Sequence, residues 1–180
     1  LDADIIIIGA GPAGLCLARN LAETNLRIIL IDKQTRQSLA EPAYDGREIA
    51  LTHMSRKILD KTGIWDMIPE GEVSHIKQAK VLNGRSPFAL SFDHQSAGTN
   101  TLGFMLSNHR IRKAAFDSLV GFQNVQIFDG TEVANVQTDK EHGSLDLADG
   151  RRLKAKLVVA ADSRFSPTRR MMGISASMQD

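Results

Sequence analysis

The feature that most constrains this chain is a glycine-rich turn between a predicted strand and a predicted helix. Four consecutive isoleucines at 5–8 predict a strand that is buried on both faces, as in a parallel sheet. GAGPAG follows at 9–14 and matches the pattern G-x-G-x-x-G. The apolar spacing of 15–22 predicts a helix, and RIILI at 27–31 predicts a second buried strand that ends at Asp32. This order predicts a complete βαβ unit.

The chemistry of dinucleotide binding explains why glycines occupy this turn. Gly9 is expected to permit the tight turn, Gly11 to let a pyrophosphate approach the backbone, and Gly14 to let helix and strand pack closely. The following helix offers unpaired N–H groups and a partial positive charge to that pyrophosphate. Asp32 lies at close to the spacing expected for the acid that holds a ribose hydroxyl. The pattern favours FAD or NAD over NADP, and a tight turn without a ligand is the alternative.

Composition removes several other classes of function. Lys and Arg total 22 against 21 Asp and Glu, so the net charge of +1 gives no indication of nucleic-acid binding. A single cysteine, Cys16, excludes an internal disulfide and favours a reducing cytoplasm. In the first predicted helix, Cys16 is interpreted as a packing residue rather than a nucleophile. The five histidines show no metal-ligand spacing, so no metal site is expected.

Beyond Asp32, the sequence no longer follows a simple βαβ repeat. The predicted elements are a loop over 34–47, a helix starting near Thr52 or Ser55, strands within 73–92 with a turn at Asn83-Gly84, a strand at 101–106, a helix over 109–120 and several strands over 125–160. The run AKLVVAAD is expected to be a buried strand that returns to the first sheet. The sequence therefore predicts an α/β fold with a mostly parallel central sheet and a mixed insertion.

Three stretches give the chain a resemblance to the class A FAD-dependent aromatic hydroxylases. They are GAGPAG with Asp32, REIALTHMSRKILDKTGIW at 47–65, and VVAADSRFSPTRR at 158–170. A fourth stretch, LSFDHQSAGTNTLGFMLSN at 90–108, resembles the ubiquinone-biosynthesis hydroxylase group within that family. The resemblance spans essentially the whole chain.

The resemblance implies a Rossmann-like FAD-binding domain of the p-hydroxybenzoate hydroxylase type, with a β-rich insertion that begins the substrate layer. It implies FAD-binding segments at 1–72 and 108–180, with the insertion at 73–107. The cofactor-binding residues that the resemblance implies are Gly9, Ala10, Gly11, Pro12, Ala13, Gly14, Asp32, Lys33, Arg47, Asn108, Val133 and Asp162. For Arg47, the alternative is an exposed surface arginine.

The chain departs from the family pattern around Asp162. Ala160 and Ser163 replace two glycines of the motif, and a glycine there permits a backbone that other residues resist. Ser163 is therefore expected to change the turn and to weaken the nicotinamide-linked role of the motif. Ser166-Pro167 has the pattern of a helix N-cap, so capping that helix is the alternative role for Asp162. Asn108 stands where related hydroxylases carry Arg or Gln.

The resemblance implies a monooxygenase that uses FAD, NAD(P)H and O₂ to hydroxylate the ring of a ubiquinone precursor, a polyprenylated phenol. It implies a cytoplasmic enzyme, with peripheral contact at the inner membrane as an option, and no catalytic side chain is named. The family's Gly-Asp motif is missing, so we interpret the chain as the N-terminal part of a longer enzyme. The alternatives are another FAD-dependent oxidoreductase, such as a small-phenol hydroxylase, reductase or halogenase, and an inactive truncated nucleotide-binding domain.

Overall fold

The isoleucine run forms an inner strand of a six-stranded sheet in the computed structural model, which describes residues 1–177. The strands are β1 (Ala3–Ile8), β2 (Ile28–Ile31), β3 (Glu48–Leu51), β4 (Ser74–Ile76), β5 (Gln78–Leu82), β6 (Ala89–Asp93), β7 (Gly103–Ser107), β8 (Val125–Phe128), β9 (Val133–Thr138), β10 (Gly143–Leu147) and β11 (Arg152–Ala160). The α-helices are α1 (Pro12–Leu21), α2 (Arg36–Ala40), α3 (His53–Lys61), α4 (Asn108–Asp117) and α5 (Pro167–Met171). The first structural unit combines Leu1–Pro42 with the chain from Ala115 onward, and the second is Ala43–Ala114.

The first unit is built on a six-stranded sheet in the order β8-β2-β1-β11-β10-β9. The first four strands are parallel, and β10 and β9 add an antiparallel edge. Strand β1 pairs with β2 from Ile5↔Ile28 to Ile8↔Ile31, so two β-branched runs lie side by side. All four residues of β2 are buried, as expected for a strand inside a parallel sheet. The predicted α/β fold with a parallel central sheet is confirmed.

The predicted return of the chain to the first sheet is also confirmed. Strand β11 pairs with β1 in parallel from Ala3↔Ala155 to Ile8↔Ala160. The predicted burial of β11 is only partly right, because Leu157 is 52% exposed. Strand β10 pairs with β11 only as far as Ala155, so the rest of β11 forms an edge of the described sheet on that side.

One continuous apolar cluster stabilises the first unit. Fully burying an Ile or Leu side chain contributes about 1.5–3 kcal/mol, so this cluster contributes substantially to the stability of the sheet. Its buried members are Ala3, Ile6, Ile8, Ile29, Ile31, Val136, Leu145, Leu147, Leu153 and Ala155. In α1, burial raises the pKa of the Cys16 thiol to about 11, which agrees with its interpretation as a packing residue.

The second unit contains a three-stranded antiparallel sheet in the order β3-β7-β4 and the two-stranded pair β5-β6. Helix α3 begins as predicted, since the Thr52 hydroxyl accepts a hydrogen bond from the Ser55 N–H at 3.1 Å. The turn at Asn83-Gly84 is also confirmed, and Gly84 supplies a left-handed residue with φ of +54°. Of the five histidines, His53 and His75 pack edge-on against Phe104, which is a structural role.

One prediction about residues 34–51 is wrong, because the expected loop at 34–47 contains the short helix α2. Residues 48–51, for which the sequence predicts no element, form strand β3 just before α3. The Thr35 hydroxyl caps α2 by accepting the Ser38 N–H at 3.3 Å. The second unit, Ala43–Ala114, covers more of the sequence than the predicted insertion at 73–107. The insertion is predicted as a division by function, so its boundaries stay a prediction.

Candidate functional site

The glycine turn brings the backbone of β1, α1 and β11 into close approach. Gly9 has a left-handed backbone with φ of +106°, and a Cβ atom there would lie 2.5 Å from the carbonyl oxygen of Ala161. A Cβ atom on Gly14 would overlap the carbonyl oxygen of Gly9. Glycine is therefore required at both positions, for the tight turn and for helix packing as the sequence predicts.

Gly11 differs from these two glycines because it faces open space. Its backbone is extended, with φ of −76° and ψ of −178°, and a Cβ atom there would meet nothing within 4 Å. Pro12 is the first residue of α1, where a missing N–H is harmless. Within residues 1–177, no side chain caps α1. The first N–H groups of this helix thus point to a side that an anionic ligand can reach.

Asp32 is tied to the glycine turn through its carboxylate. Its Oδ2 accepts the N–H of Ala10 at 2.7 Å, and its Oδ1 accepts the N–H of Gln34 at 2.8 Å. The carboxylate is half-buried, and Ala10 is fully buried. Oδ1 also accepts a longer hydrogen bond from the Gln34 Nε2–H at 3.4 Å, whereas Oδ2 can accept a second one, so Asp32 keeps acceptor capacity for a ribose hydroxyl. Lys33 follows on the surface and is exposed.

The loop after β8 runs beside the loop that follows Asp32. The Asp32 N–H donates to the Phe128 carbonyl at 3.0 Å, and the Thr131 N–H donates to the Asp32 carbonyl at 2.9 Å. Two residues later, half-buried Val133 begins β9. The fold thereby brings Val133 into the same unit as the glycine turn and Asp32, although the sequence separates them by about a hundred residues.

Asp162 closes a second turn at the carboxyl end of β11. Its Oδ2 accepts the N–H of Thr168 at 3.0 Å, and the Ser166 hydroxyl accepts the N–H of Arg169 at 3.0 Å. Both acceptors cap α5, so the predicted N-cap at Ser166 is confirmed. Burial raises the pKa of the Asp162 carboxyl, but hydrogen bonds from Ser166 and Thr168 outweigh it and the net shift is downward. Ser163 does not adopt a left-handed backbone, so a serine can stand in place of the motif glycine without backbone strain.

A cavity of about 550 Å³ lies beside this second turn in the first unit. Its apolar wall includes Val136, Val158 and Met172. The lining also includes Arg164 and Arg169. This combination suits a ligand that has an apolar ring and an anionic group.

In the second unit, Arg47 and Asn108 share one partner that sequence reasoning missed. Asp45 Oδ2 accepts the Arg47 Nε–H at 2.9 Å and the Asn108 Nδ2–H at 2.7 Å. The Asn108 N–H also donates to the Arg47 carbonyl at 2.9 Å. Hydrogen bonds from Arg47 and Asn108 hold the pKa of the Asp45 carboxyl well below its usual range. The D-x-R spacing of 45–47 was the only signal in the sequence.

The structure thus divides the predicted cofactor residues into two groups. The group in the first unit contains Gly9, Ala10, Gly11, Pro12, Ala13, Gly14, Asp32, Lys33, Val133 and Asp162. The group in the second unit contains Arg47, whose side chain is 64% exposed, and Asn108, which is 3% exposed. The exposure of Arg47 fits the alternative of a surface arginine, and Asp45 orients its guanidinium. In residues 1–177, no helix is long and apolar enough to cross a membrane.

Comparison with known families supports a dinucleotide site. The family model described as "FAD binding domain" matches residues 2–180. The chain is 46% identical to ubiquinone hydroxylase UbiM of Neisseria meningitidis, over 100% of this chain and 40% of that protein. It is 32% identical to ubiquinone hydroxylase UbiL of Rhodospirillum rubrum, over 96% of this chain and 40% of that protein. The chain therefore spans about 40% of the length of these curated relatives.

Solved structures show the same fold. PqsL of Pseudomonas aeruginosa, a probable FAD-dependent monooxygenase, matches with a TM-score of 0.71 and 21% identity, over 99% of this chain and 47% of that chain. The p-nitrophenol 4-monooxygenase PnpA of Pseudomonas putida matches with a TM-score of 0.71 and 20% identity, over 94% of this chain and 42% of that chain. The predicted fold of the p-hydroxybenzoate hydroxylase type is confirmed.

Proposed function

The chain belongs to the FAD-binding domain family, and we propose that the complete protein is a FAD-dependent monooxygenase that hydroxylates the aromatic ring of a ubiquinone precursor. One observation in the structure carries the cofactor part. Gly11 faces open space at the uncapped start of α1, while Asp32 is held beside it by the Ala10 N–H. The reaction and substrate rest on the similarity to the two ubiquinone hydroxylases at 46% and 32% identity.

In this proposal, different residues of the first unit bind different parts of the adenosine diphosphate half of FAD. The backbone at Gly11 and Ala13 receives the pyrophosphate, because no Cβ atom at Gly11 blocks the approach and the helix dipole favours an anion. Asp32 accepts a ribose hydroxyl, and Lys33 and Val133 flank the adenine. Gly9 and Gly14 maintain the shape of the turn, while Ala10 and Pro12 complete it.

Bound FAD, reduced by NAD(P)H, supplies the oxygen chemistry of the reaction. This chain's own part is to bind and orient that cofactor. In the second unit, we assign Arg47 and Asn108 to cofactor contacts, and Asp45 keeps their donor groups oriented. Asp45 also raises the pKa of the Arg47 guanidinium, a group that is charged at physiological pH in any case.

Asp162 is assigned to the cofactor region through the turn that it shapes. Its carboxylate holds the N–H of Thr168, and this hydrogen bond anchors α5. The cavity beside that turn carries Arg164 and Arg169, which suits the pyrophosphate of NAD(P)H. We assign this cavity to the nicotinamide co-substrate.

The substrate that fits the relatives' names is a polyprenylated phenol. Such a molecule resides in a bilayer, so the complete enzyme is expected in the cytoplasm with peripheral contact at the inner membrane. That contact is a proposal about the complete protein.

Complementation tests this function. The complete wild-type protein should restore quinone synthesis in a bacterium that lacks one of its own ring hydroxylases, with extracted quinone quantified by mass spectrometry. Gly11→Val should abolish the rescue through loss of FAD, because a branched side chain occupies the pyrophosphate approach. Gly71→Val is the matched control, since Gly71 also faces open space with an ordinary backbone. A folded, flavin-loaded protein that restores no quinone in any deletion strain, yet hydroxylates a water-soluble phenol, contradicts the ubiquinone assignment.

A further inference from the structure

Two loops at the edge of the proposed adenosine site are joined by a side chain that no sequence motif indicates. Asp129, in the loop after β8, accepts the N–H of Arg36 on its Oδ2 at 2.7 Å. One residue further, the Gly130 N–H donates to the Gln34 carbonyl at 2.8 Å. Gly130 can do so because it has a left-handed backbone with φ of +57°, which reverses the loop. The loop after β2 is therefore held by hydrogen bonds to the loop after β8, which lies about 93 positions away in the sequence.

The Asp129 carboxylate occupies a favourable position for this task. Arg36 is the first residue of α2, and its N–H has no acceptor within that helix. An ionised carboxylate at a helix start forms a charge-assisted hydrogen bond, which is about twice as strong as a neutral one. The Thr35 hydroxyl accepts the N–H of Ser38 in the same turn. Two of the free N–H groups of α2 are thereby satisfied, one locally and one by Asp129.

This arrangement bears on Asp32, because Gln34 lies between Asp32 and Arg36. The Gln34 N–H donates to Asp32 Oδ1 and is one of the two backbone donors that orient the carboxylate. The position of the Gln34 backbone depends in turn on its carbonyl contact with Gly130 and on the Asp129 contact with Arg36. Loss of the Asp129 carboxylate removes one of the contacts that hold this loop, so the Gln34 N–H is less firmly placed on Asp32 Oδ1.

We propose that Asp129 is a positioning residue that orients the Asp32 carboxylate toward the ribose of FAD. The proposal rests on the proposed FAD site, and it assigns Asp129 no contact with the cofactor. It predicts that Asp129 affects the recognition of the ribose hydroxyls specifically, rather than the affinity of the whole site.

The test compares FAD with an analogue whose adenosine ribose lacks the 2′ and 3′ hydroxyls. Both are titrated into the flavin-free complete protein, and flavin fluorescence reports binding. A charge-assisted hydrogen bond gives wild type a preference for FAD of about ten- to a hundredfold. Asp129→Ala should reduce this preference at least threefold, while Asp129→Asn should retain most of it because it keeps an acceptor oxygen.

Two further variants isolate the hydrogen bond itself. Arg36→Pro removes the N–H donor, and proline is tolerated at a first helical position after an extended residue such as Thr35, whose ψ is 156°. Arg36→Ala keeps the donor and removes only the side chain. The preference for FAD should fall in Arg36→Pro and persist in Arg36→Ala. Asp139→Ala is the control for general loop damage, since Asp139 accepts the backbone N–H groups of Glu141 and His142 in another loop of the same unit.

The outcomes separate the inference from the function beneath it. If Asp129→Ala weakens the binding of FAD and of the analogue equally, its role is purely structural and the proposal is overturned. An unchanged preference in Arg36→Pro also overturns it. A wild-type protein that binds both flavins equally removes Asp32 from the ribose site and refutes the inference, while FAD binding stands. A wild-type protein that binds no FAD overturns both proposals.

Discussion

The turn before α1 and the turn before α5 follow neighbouring parallel strands, but they differ in how the first N–H groups of the helix are satisfied. Ile8 at the end of β1 pairs with Ala160 at the end of β11, so both turns lie at the same edge of the sheet. The first turn leaves the start of its helix without a side-chain cap, and Gly11 faces open space. In the second turn, Asp162 and Ser166 accept the N–H groups that begin α5.

This difference teaches how a strand–helix turn becomes a ligand site. Glycines remove side chains and leave backbone donors for a ligand, whereas Asp and Ser side chains satisfy the same donors from within the chain. The acid of the first turn, Asp32, comes from the next strand and retains acceptor capacity. The acid of the second turn, Asp162, is already engaged by its own helix. Substitutions in the two turns should therefore alter different measurable properties.

The largest effect is expected for Gly14→Ala in the first turn. The added Cβ atom would overlap the Gly9 carbonyl oxygen, and neither backbone can move without separating α1 from β1. The free energy of unfolding should fall by about 3 kcal/mol, at the upper end for overpacking. Urea denaturation followed by circular dichroism measures it. A loss below about 1 kcal/mol contradicts the close approach.

Gly11→Val should affect binding instead of folding. FAD affinity should fall by about a hundredfold or more, equal to about 2.8 kcal/mol, because the valine side chain fills the open approach. The free energy of unfolding should change by less than about 1 kcal/mol, since no protein atom is displaced. Flavin fluorescence titration and urea denaturation of the same preparation separate the two effects. Equal FAD affinity in variant and wild type removes the open turn from the site.

Asp32→Ala sharpens the contrast between the two acids. Loss of a charge-assisted hydrogen bond to the ribose should weaken FAD binding by about ten- to a hundredfold. Stability should also fall, because the N–H groups of Ala10 and Gln34 lose their acceptor. Fluorescence titration with FAD gives the first effect. Unchanged affinity excludes Asp32 from ribose binding.

Asp162→Ala should lower stability more than it lowers FAD affinity. Loss of a helix cap costs about 1 kcal/mol. The pKa of Asp162 in the folded protein lies below its usual value of 3.8, so its contribution is present above that value and disappears as the pH falls through the lowered pKa. Wild type and variant should thus differ in urea denaturation at pH 7 and converge in acid. A difference that grows on acidification contradicts this sign.

The smallest effect is expected for Ser163→Gly, which restores the family glycine. Ser163 has no left-handed backbone, so glycine relieves no strain and only adds freedom to the unfolded chain. The free energy of unfolding should fall by about 0.5–1 kcal/mol. A gain in stability, measured in the same denaturation series, indicates that the serine strains the turn.

The sequence predicts the elements whose signals are local. The β1-α1-β2 unit follows from a β-branched run and a glycine spacing within some thirty residues, and α3 follows from its cap at Thr52. Strand β3 escaped prediction because it depends on pairing with β7, where Glu48 lies opposite Ser107. Helix α2 escaped because a distant carboxylate, that of Asp129, supports its start.

The candidate site shows the same division. The glycines and Asp32 are recognisable from spacing, whereas Asp45 has meaning only once Arg47 and Asn108 are brought together. The burial of β11 was overestimated for a related reason. An apolar run indicates a strand, but the exposure of Leu157 depends on where the pairing with β10 stops. Contacts between distant segments are what a single sequence leaves open.

The pairing of β1 with β11 has a consequence for synthesis on the ribosome. The Asp2 carboxylate accepts the N–H of Lys154, a contact that spans 152 residues. At about 5–20 residues per second, the ribosome needs roughly 8–30 s to make the intervening chain. During that time, the isoleucine strand can pair with β2 on one side, while its other edge stays available to any passing strand. Until β11 emerges to complete the sheet, the nascent chain therefore exposes a strand edge that can pair with other chains.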